Sequence, residues 1–154
     1  MPTVFEQLAQ LLADNQIAFE VLEHEPVFTS EEAARVRGTS LASGAKALIC
    51  KLDERFVMVV LPADRRLASK EVRKQLGARS LRFANRDEVL ELTGLQPGSI
   101  PPFGSLFGLP TYCDNRLQDE AVINFNAGDH AKSVSMTYAD FQQVEQPELG
   151  LFAE

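Results

Sequence analysis

The chain has 154 residues, is 45% hydrophobic with ten Phe and no Trp, and carries a net charge of −7. That length suits one ordinary domain with one sizeable core, expected to span residues 1–154. Its longest apolar stretch, Phe56 to Pro62, is far shorter than the roughly 20 residues of a membrane helix, and no basic segment leads into an apolar one at the N-terminus; no membrane contact and a cytoplasmic location are expected.

Along the chain, Thr3-x-x-Glu6 reads as a capping box before Phe5, Leu8, Leu11 and Leu12, which share one helical face, with Asn15 as the stop. Ile17, Phe19 and Val21 alternate with Ala18, Glu20 and Leu22, the pattern of a strand with a buried face. Thr29-x-x-Glu32 opens a short helix that Gly38 closes in the left-handed conformation. Ala45 to Lys51 and Phe56 to Leu61 are β-rich runs, and Asp53-Glu54-Arg55 between them has the length of a hairpin connection. Ser69 starts a helix ending at Gly77, and a strand follows from about Ser80 to Phe83. Asn85-x-x-Glu88 caps a helix that stops at Gly94 and gives way to a segment rich in Gly and Pro. Thr111 to Cys113, Ala121 to Phe125 and Ser133 to Met136 read as strands, and Thr137-x-x-Asp140 starts a last helix. Helices scattered among hairpin-connected strands indicate an α+β fold, with a mixed, mostly antiparallel sheet surrounded by helices.

The charge is unevenly distributed. Residues 35 to 86 hold 13 of the 15 basic residues against four of the 22 acidic ones, a net +9, which leaves −16 for the flanks. This suits a protein that touches a few phosphates at one place without adhering to RNA along its length, or else reflects solvated helix faces. Cys50 and Cys113 sit in no Cys-x-x-Cys pair and near no His at ligand spacing, and read as free buried thiols. With His24 and His130 as the only histidines, a His-rich metal site is unavailable, so neither metal nor cofactor is expected. No Gly-x-Ser-x-Gly elbow or phosphate-cradling Gly-rich loop occurs either.

Three local features stand apart from scaffold. Period-two alternation puts Lys46 on the face of Leu48 and Cys50, where its ammonium either snorkels to the sheet rim or projects into a cleft toward an anion. Gly94 to Gly104 is long and Pro-rich; Pro101 and Pro102 stiffen it, and Gly98 lets free N–H groups approach a ligand, unless it is an ordinary connection. Phe125-Asn-Ala-Gly-Asp-His130 follows a strand. Asn126 and Gly128 suit a tight turn, and Asn126 can hydrogen-bond a ligand carbonyl, amine or hydroxyl. Asp129 or His130 could assist proton transfer, although a lone His beside a turn is more often solvated.

Six pieces in register, Gly44-Ala-Lys46-Ala-Leu, Val59-Val-Leu-Pro-Ala-Asp-Arg-Arg66, Leu76-Gly-Ala, Glu91-Leu-Thr-Gly94, Gly98-Ser-Ile-Pro-Pro-Phe103 and Phe125-Asn-Ala-Gly128, resemble the YbaK and prolyl-tRNA-synthetase-associated editing domains over roughly Ile17 to Leu149. The resemblance implies hydrolysis of the ester that joins a small amino acid to the terminal adenosine of a transfer RNA. It implies Lys46 and the loop residues Gly98, Ser99, Ile100, Pro101 and Pro102 as the catalytic set, with loop amides on the scissile carbonyl and no enzyme nucleophile. Phe28, Ser30, Asn126, Ala127, Gly128, Asp129 and Ser133 are the expected substrate contacts. Arg65, Arg66, Lys70, Arg73 and Lys74 are expected on acceptor-stem phosphates, and a synthetase is a candidate partner. The string from Arg37 to Lys51, with Lys132-Ser-Val and Gln146-Pro-Glu-Leu, looks closest to the YeaK-like branch acting on serine and threonine. Asn126-Ala127 stands where alanine-directed members show His-Pro. Ser30, Ser99 and Ser133 are candidate partners for a substrate hydroxyl. The competing readings are a non-catalytic module that binds an aminoacyl or nucleotide-like ligand beside a synthetase, and, with no convincing recognition helix to support it, a DNA-binding protein.

Overall fold

The structure is a computed structural model describing Met1–Glu154. Helix α1, Val4–Asp14, starts on the capping box: Thr3 Oγ1 accepts from Glu6 N at 3.1 Å and Glu6 Oε1 from Thr3 N at 3.0 Å. It buries Leu8 and Leu12 completely. Strand β1 covers only Glu20–Glu23, and all four residues are exposed, so the buried face expected at Val21 does not form. The cause is position. This is an edge strand paired on one side only, while Ile17 and Phe19 reach the core from the segment before it. Helix α2, Ser30–Arg37, is capped by Thr29 and ends on left-handed Gly38.

Strands β2, Ala45–Leu52, and β3, Arg55–Pro62, form a hairpin in which Leu52 faces Arg55, so the turn is two residues long rather than three. Helix α3, Ser69–Leu76, strand β4, Leu81–Phe83, and helix α4, Arg86–Thr93, follow; β5, Thr111–Asp114, then pairs with β3 in parallel. A parallel partner requires such a long crossover. Strands β6, Val122–Asn126, and β7, Lys132–Thr137, are antiparallel, and helix α5, Tyr138–Glu145, leads to a short strand β8, Glu148–Gly150, for which the sequence held no signal.

The result is α+β with two sheets rather than one: a five-stranded mixed sheet in the order β4-β2-β3-β5-β8 and a three-stranded antiparallel sheet β1-β7-β6. Strands β2 and β3 are covered on both faces. Met58, Val60 and Ile49 turn into a large cluster with Leu8, Leu12, Phe103, Phe125 and Phe141, while Val57, Val59, Leu61, Cys50 and Leu52 turn into a smaller one with Val72 and Phe152. Cys50 and Cys113 fall in different clusters and are free thiols whose pKa burial pushes up to about 12. The two sheets meet where Gly44 bridges Asn124, whose Nδ2 donates to Ser43 Oγ at 3.1 Å. A hollow opens beside this junction.

Candidate active site

The hollow encloses about 160 Å³ between one face of α2, the start of β2, the end of β6 and the loop after α4. Half of its ten apolar lining residues are alanines, Ala33, Ala34, Ala45, Ala47 and Ala63, which leave room for a compact group. Both Lys46 and the loop residues Gly98 and Ile100 line it.

Lys46, the second residue of β2, reaches it half-buried, and Nζ donates to Arg65 O at 2.6 Å. Burial is the main influence lowering its pKa from the ordinary lysine value; Glu31 and Asp64 oppose the shift and Arg66 adds to it. An ammonium has three hydrogens, so two remain for a ligand.

The loop is set by Gly98, whose φ of +92° lies where residues with a Cβ rarely go. Within the loop, Ser99 N–H donates to Gln96 O at 3.2 Å and Phe103 N–H to Pro101 O at 2.8 Å, and the two prolines have no N–H. The N–H groups of Gly98 and Ile100 are left with no acceptor in the protein. These are the two loop residues on the hollow. Asn126 Nδ2 fixes the loop further by donating to Gly98 O at 2.7 Å, and Gly128 N–H donates to Ser99 O at 2.8 Å.

Of the other residues singled out in the sequence, Phe28, Ser30 and Asn126 line the hollow. Phe28 is 67% exposed at its rim, with its ring centroid 4.7 Å from that of His130. His130 Nε2 stands 3.4 Å from Pro97 O, so the histidine supports Phe28 and the loop rather than facing the hollow as a base. Ala127, Gly128, Asp129 and Ser133 do not line it. Ala127 is fully buried in the main core, and a Cβ on Gly128 would meet Val4 and Phe5 of α1 at 3.2 Å. Asp129 Oδ1 accepts from Ala131 N at 2.7 Å, closing its own turn. Ser99, Pro101 and Pro102 are buried behind the loop, and Ser99 Oγ donates to Gln96 O at 2.8 Å; their part is to shape the loop. None of Arg65, Arg66, Lys70, Arg73 and Lys74 lines the hollow: Arg65 and Arg66 lie on the turn after β3 and the other three on α3, with Arg65 joined to Lys46 through its carbonyl.

Asn124 and Arg37 are among the lining residues that the sequence did not single out. Asn124 shares a face of β6 with Asn126, a polar pair that alternation alone places together. Arg37 sits in the last turn of α2, where a basic residue complements the helix dipole and so reads as surface. Its spacing from Ser30, Ala33 and Ala34 puts it on their face, which is the signal that could have found it. No three of the His, Cys, Asp and Glu side chains come together as a potential ligand set for a metal ion.

The family model of the aminoacyl-tRNA editing domain matches residues 24–144. The multifunctional Ser/Thr-tRNA deacylase ProXp-y of Escherichia coli (strain K12) is 36% identical over 149 residues, a match covering 94% of this chain and 89% of that one. A proline–tRNA ligase of Bacillus licheniformis is 38% identical over 136 residues, covering 80% of this chain but only 23% of the ligase. Among solved structures, a candidate trans-editing enzyme for prolyl tRNA synthetase shares the fold with a TM-score of 0.88 at 22% identity, over 100% of this chain and 99% of that one.

Proposed function

The chain belongs to the aminoacyl-tRNA editing domain family and is an aminoacyl-tRNA deacylase, and from that premise we propose that it removes serine or threonine from the terminal adenosine of mischarged transfer RNA, using the hollow beside Lys46. One observation carries the placement of the chemistry. The two loop amides without an acceptor, Gly98 and Ile100, belong to residues lining the same small chamber as the Lys46 ammonium.

In this reading the ester carbonyl points at the Gly98 and Ile100 N–H groups. Water adds to the carbonyl carbon, the oxygen gains negative charge against those amides, and the ester C–O bond breaks with the proton returning to the ribose oxygen. Amides already fixed in place stabilise the developing charge without reorganising, which is the largest single contribution in most acyl-transfer sites. No side-chain nucleophile is needed, since holding water, ester and ribose hydroxyl in one small chamber supplies the positioning part of the rate. Lys46, at the edge nearest Arg65, holds the terminal phosphate or the ester. Phe28, exposed at the rim, offers a ring face to the adenine.

Arg65, Arg66, Lys70, Arg73 and Lys74 are proposed to receive acceptor-stem phosphates. Charge reversal at Arg66, Lys70 and Lys74 is expected to weaken tRNA binding and flatten its dependence on salt by about one unit of slope per lost contact, read by binding titrations at several salt concentrations. A synthetase is the proposed source of the mischarged substrate, supported by the proline–tRNA ligase that carries a matching segment within its own chain. The cytoplasm, where tRNA is charged, is the proposed compartment.

The reading is tested by incubating the native protein with Ser-, Thr- and Ala-charged transfer RNAs and following release of the amino acid. Turnover of the Ser and Thr esters is expected. Tight binding of all three without turnover would favour the non-catalytic module instead.

A further inference from the structure

Arg37 carries a feature that loop and lysine do not explain. Its guanidinium is partly buried against the hollow, yet no carboxylate pairs with it, the only ion pairs in the protein being Arg82–Glu88 and Arg116–Asp114. Nε donates to Ser133 Oγ at 2.8 Å and Nη2 to Asn126 Oδ1 at 2.9 Å. A guanidinium has five hydrogens, so three remain, two of them on Nη1. A Cβ at Gly44, itself on the lining, would lie 3.9 Å from Nη1, which locates that nitrogen at the chamber wall.

The partners of Arg37 are themselves committed. Ser133 Oγ lies 2.8 Å from His24 Nε2 and donates to Asn126 Oδ1 at 3.4 Å. Ser133 therefore has no hydrogen for a ligand. Asn126 links Arg37 directly to the loop, because its other end donates to Gly98 O. Arg37 thus stands on the side of the chamber that holds the ester carbonyl, whereas Lys46 is tied to the exposed turn at Arg65.

Building on the deacylase reading, we propose that Arg37 is a specificity-determining residue: its free Nη hydrogens donate to the side-chain hydroxyl of the seryl or threonyl group. A cation suits that acceptor and repels the substrate's own α-ammonium, so it also selects which of the two polar groups on the amino acid turns inward. Small lining residues bring the acyl group close enough for the contact. An apolar side chain of the same size leaves the free Nη hydrogens partly desolvated and unpaired, which is how a site built for a hydroxyl discriminates against its isostere.

The test compares Ser-tRNA with tRNA carrying 2-aminobutyrate, in which a methyl replaces the hydroxyl, for the native protein, Arg37→Met, Arg37→Lys and Ser30→Ala. The readout is the ratio of the two kcat/KM values, which does not depend on the fraction of folded enzyme. The native ratio is expected to favour Ser by about 10- to 100-fold, the range of a hydrogen bond to a charged group, and Arg37→Met to bring it to within about threefold of unity. Arg37→Lys, keeping the charge without the fork, should retain part of the ratio and serves if the Met variant does not fold. An unchanged ratio in the Arg37 variants, a native ratio near one, or a collapse in Ser30→Ala alone would overturn the assignment while leaving the deacylase reading intact. Failure of the native protein to hydrolyse Ser-tRNA at all would instead overturn the deacylase reading.

Discussion

Lys46→Ala is expected to lower kcat/KM for Ser-tRNA by about 10²- to 10³-fold, the usual cost of removing one preorganised electrostatic group from an acyl-transfer site. Stability should change by less than about 1 kcal/mol, because the side chain is half-exposed and gives up one hydrogen bond, to the Arg65 carbonyl. A urea titration beside the kinetic assay separates the two effects. The pH dependence follows from the direction of the shift. The protonated lysine is the active form and its pKa is lowered, first by burial, so its contribution is lost as pH rises through a point below the ordinary lysine value. Lys46→Arg, which stays charged, should retain part of the activity and move the alkaline limb to higher pH once spontaneous ester hydrolysis is subtracted. An alkaline limb common to both proteins would assign that titration to another group.

Gly98→Ala should cost a similar amount, about 10²-fold in kcat, by a different route. A Cβ there finds room, its nearest neighbour being His130 Nε2 at 3.6 Å, so the obstacle is conformational. At φ +92° a residue with a Cβ is strained by about 1–3 kcal/mol, and the loop relieves this by rotating the peptides that present the 98 and 100 N–H groups. Since these amides are proposed to act chiefly on the developing charge, kcat should fall more than KM rises. A variant with native kcat would show that the loop amides are not aimed at the reacting carbonyl.

Much of the scaffold could be read from local chemistry. Four of the five α-helices start on a side-chain cap: Thr3, Thr29, Asn85 and Thr137 each accept a hydrogen bond from the N–H three residues on, as their spacing predicts, whereas α3 follows Ala68 with no side-chain cap. The hairpin of β2 and β3 was visible because both strands are apolar on both faces. What sequence could not supply were decisions made by distant partners. The division into two sheets depends on which strands meet across the Gly44–Asn124 bridge, and β8 exists only because β5 offers it an edge. The exposed β1 fails its pattern for the same reason, since burial there depends on what covers the strand.

The site divides along the same line. Lys46 and the 98–102 loop stood out because a lysine in an apolar strand and a Pro-rich loop break local rules, and local violations often mark function. Ala127, Gly128 and Asp129 were drawn in by their neighbour Asn126, and Ser133 by its hydroxyl. Adjacent residues on a turn face different ways, and only Asn126 turns toward the hollow. Arg37 was passed over because its local position already had a sufficient explanation at the end of α2. Its interest arises from Ser133 and Asn126, which lie 96 and 89 residues away in sequence.

The chemistry of the hollow depends on where an aminoacylated adenosine sits. Titrating ¹⁵N-labelled protein with 3′-seryl-amido-3′-deoxyadenosine, whose amide resists hydrolysis, reports this directly through the backbone resonances. Saturable shifts concentrated at the Gly98 and Ile100 amides, and lost in Lys46→Ala or Gly98→Ala, are the predicted result. Saturable binding that leaves those two resonances unmoved while shifting residues elsewhere on the surface would contradict it.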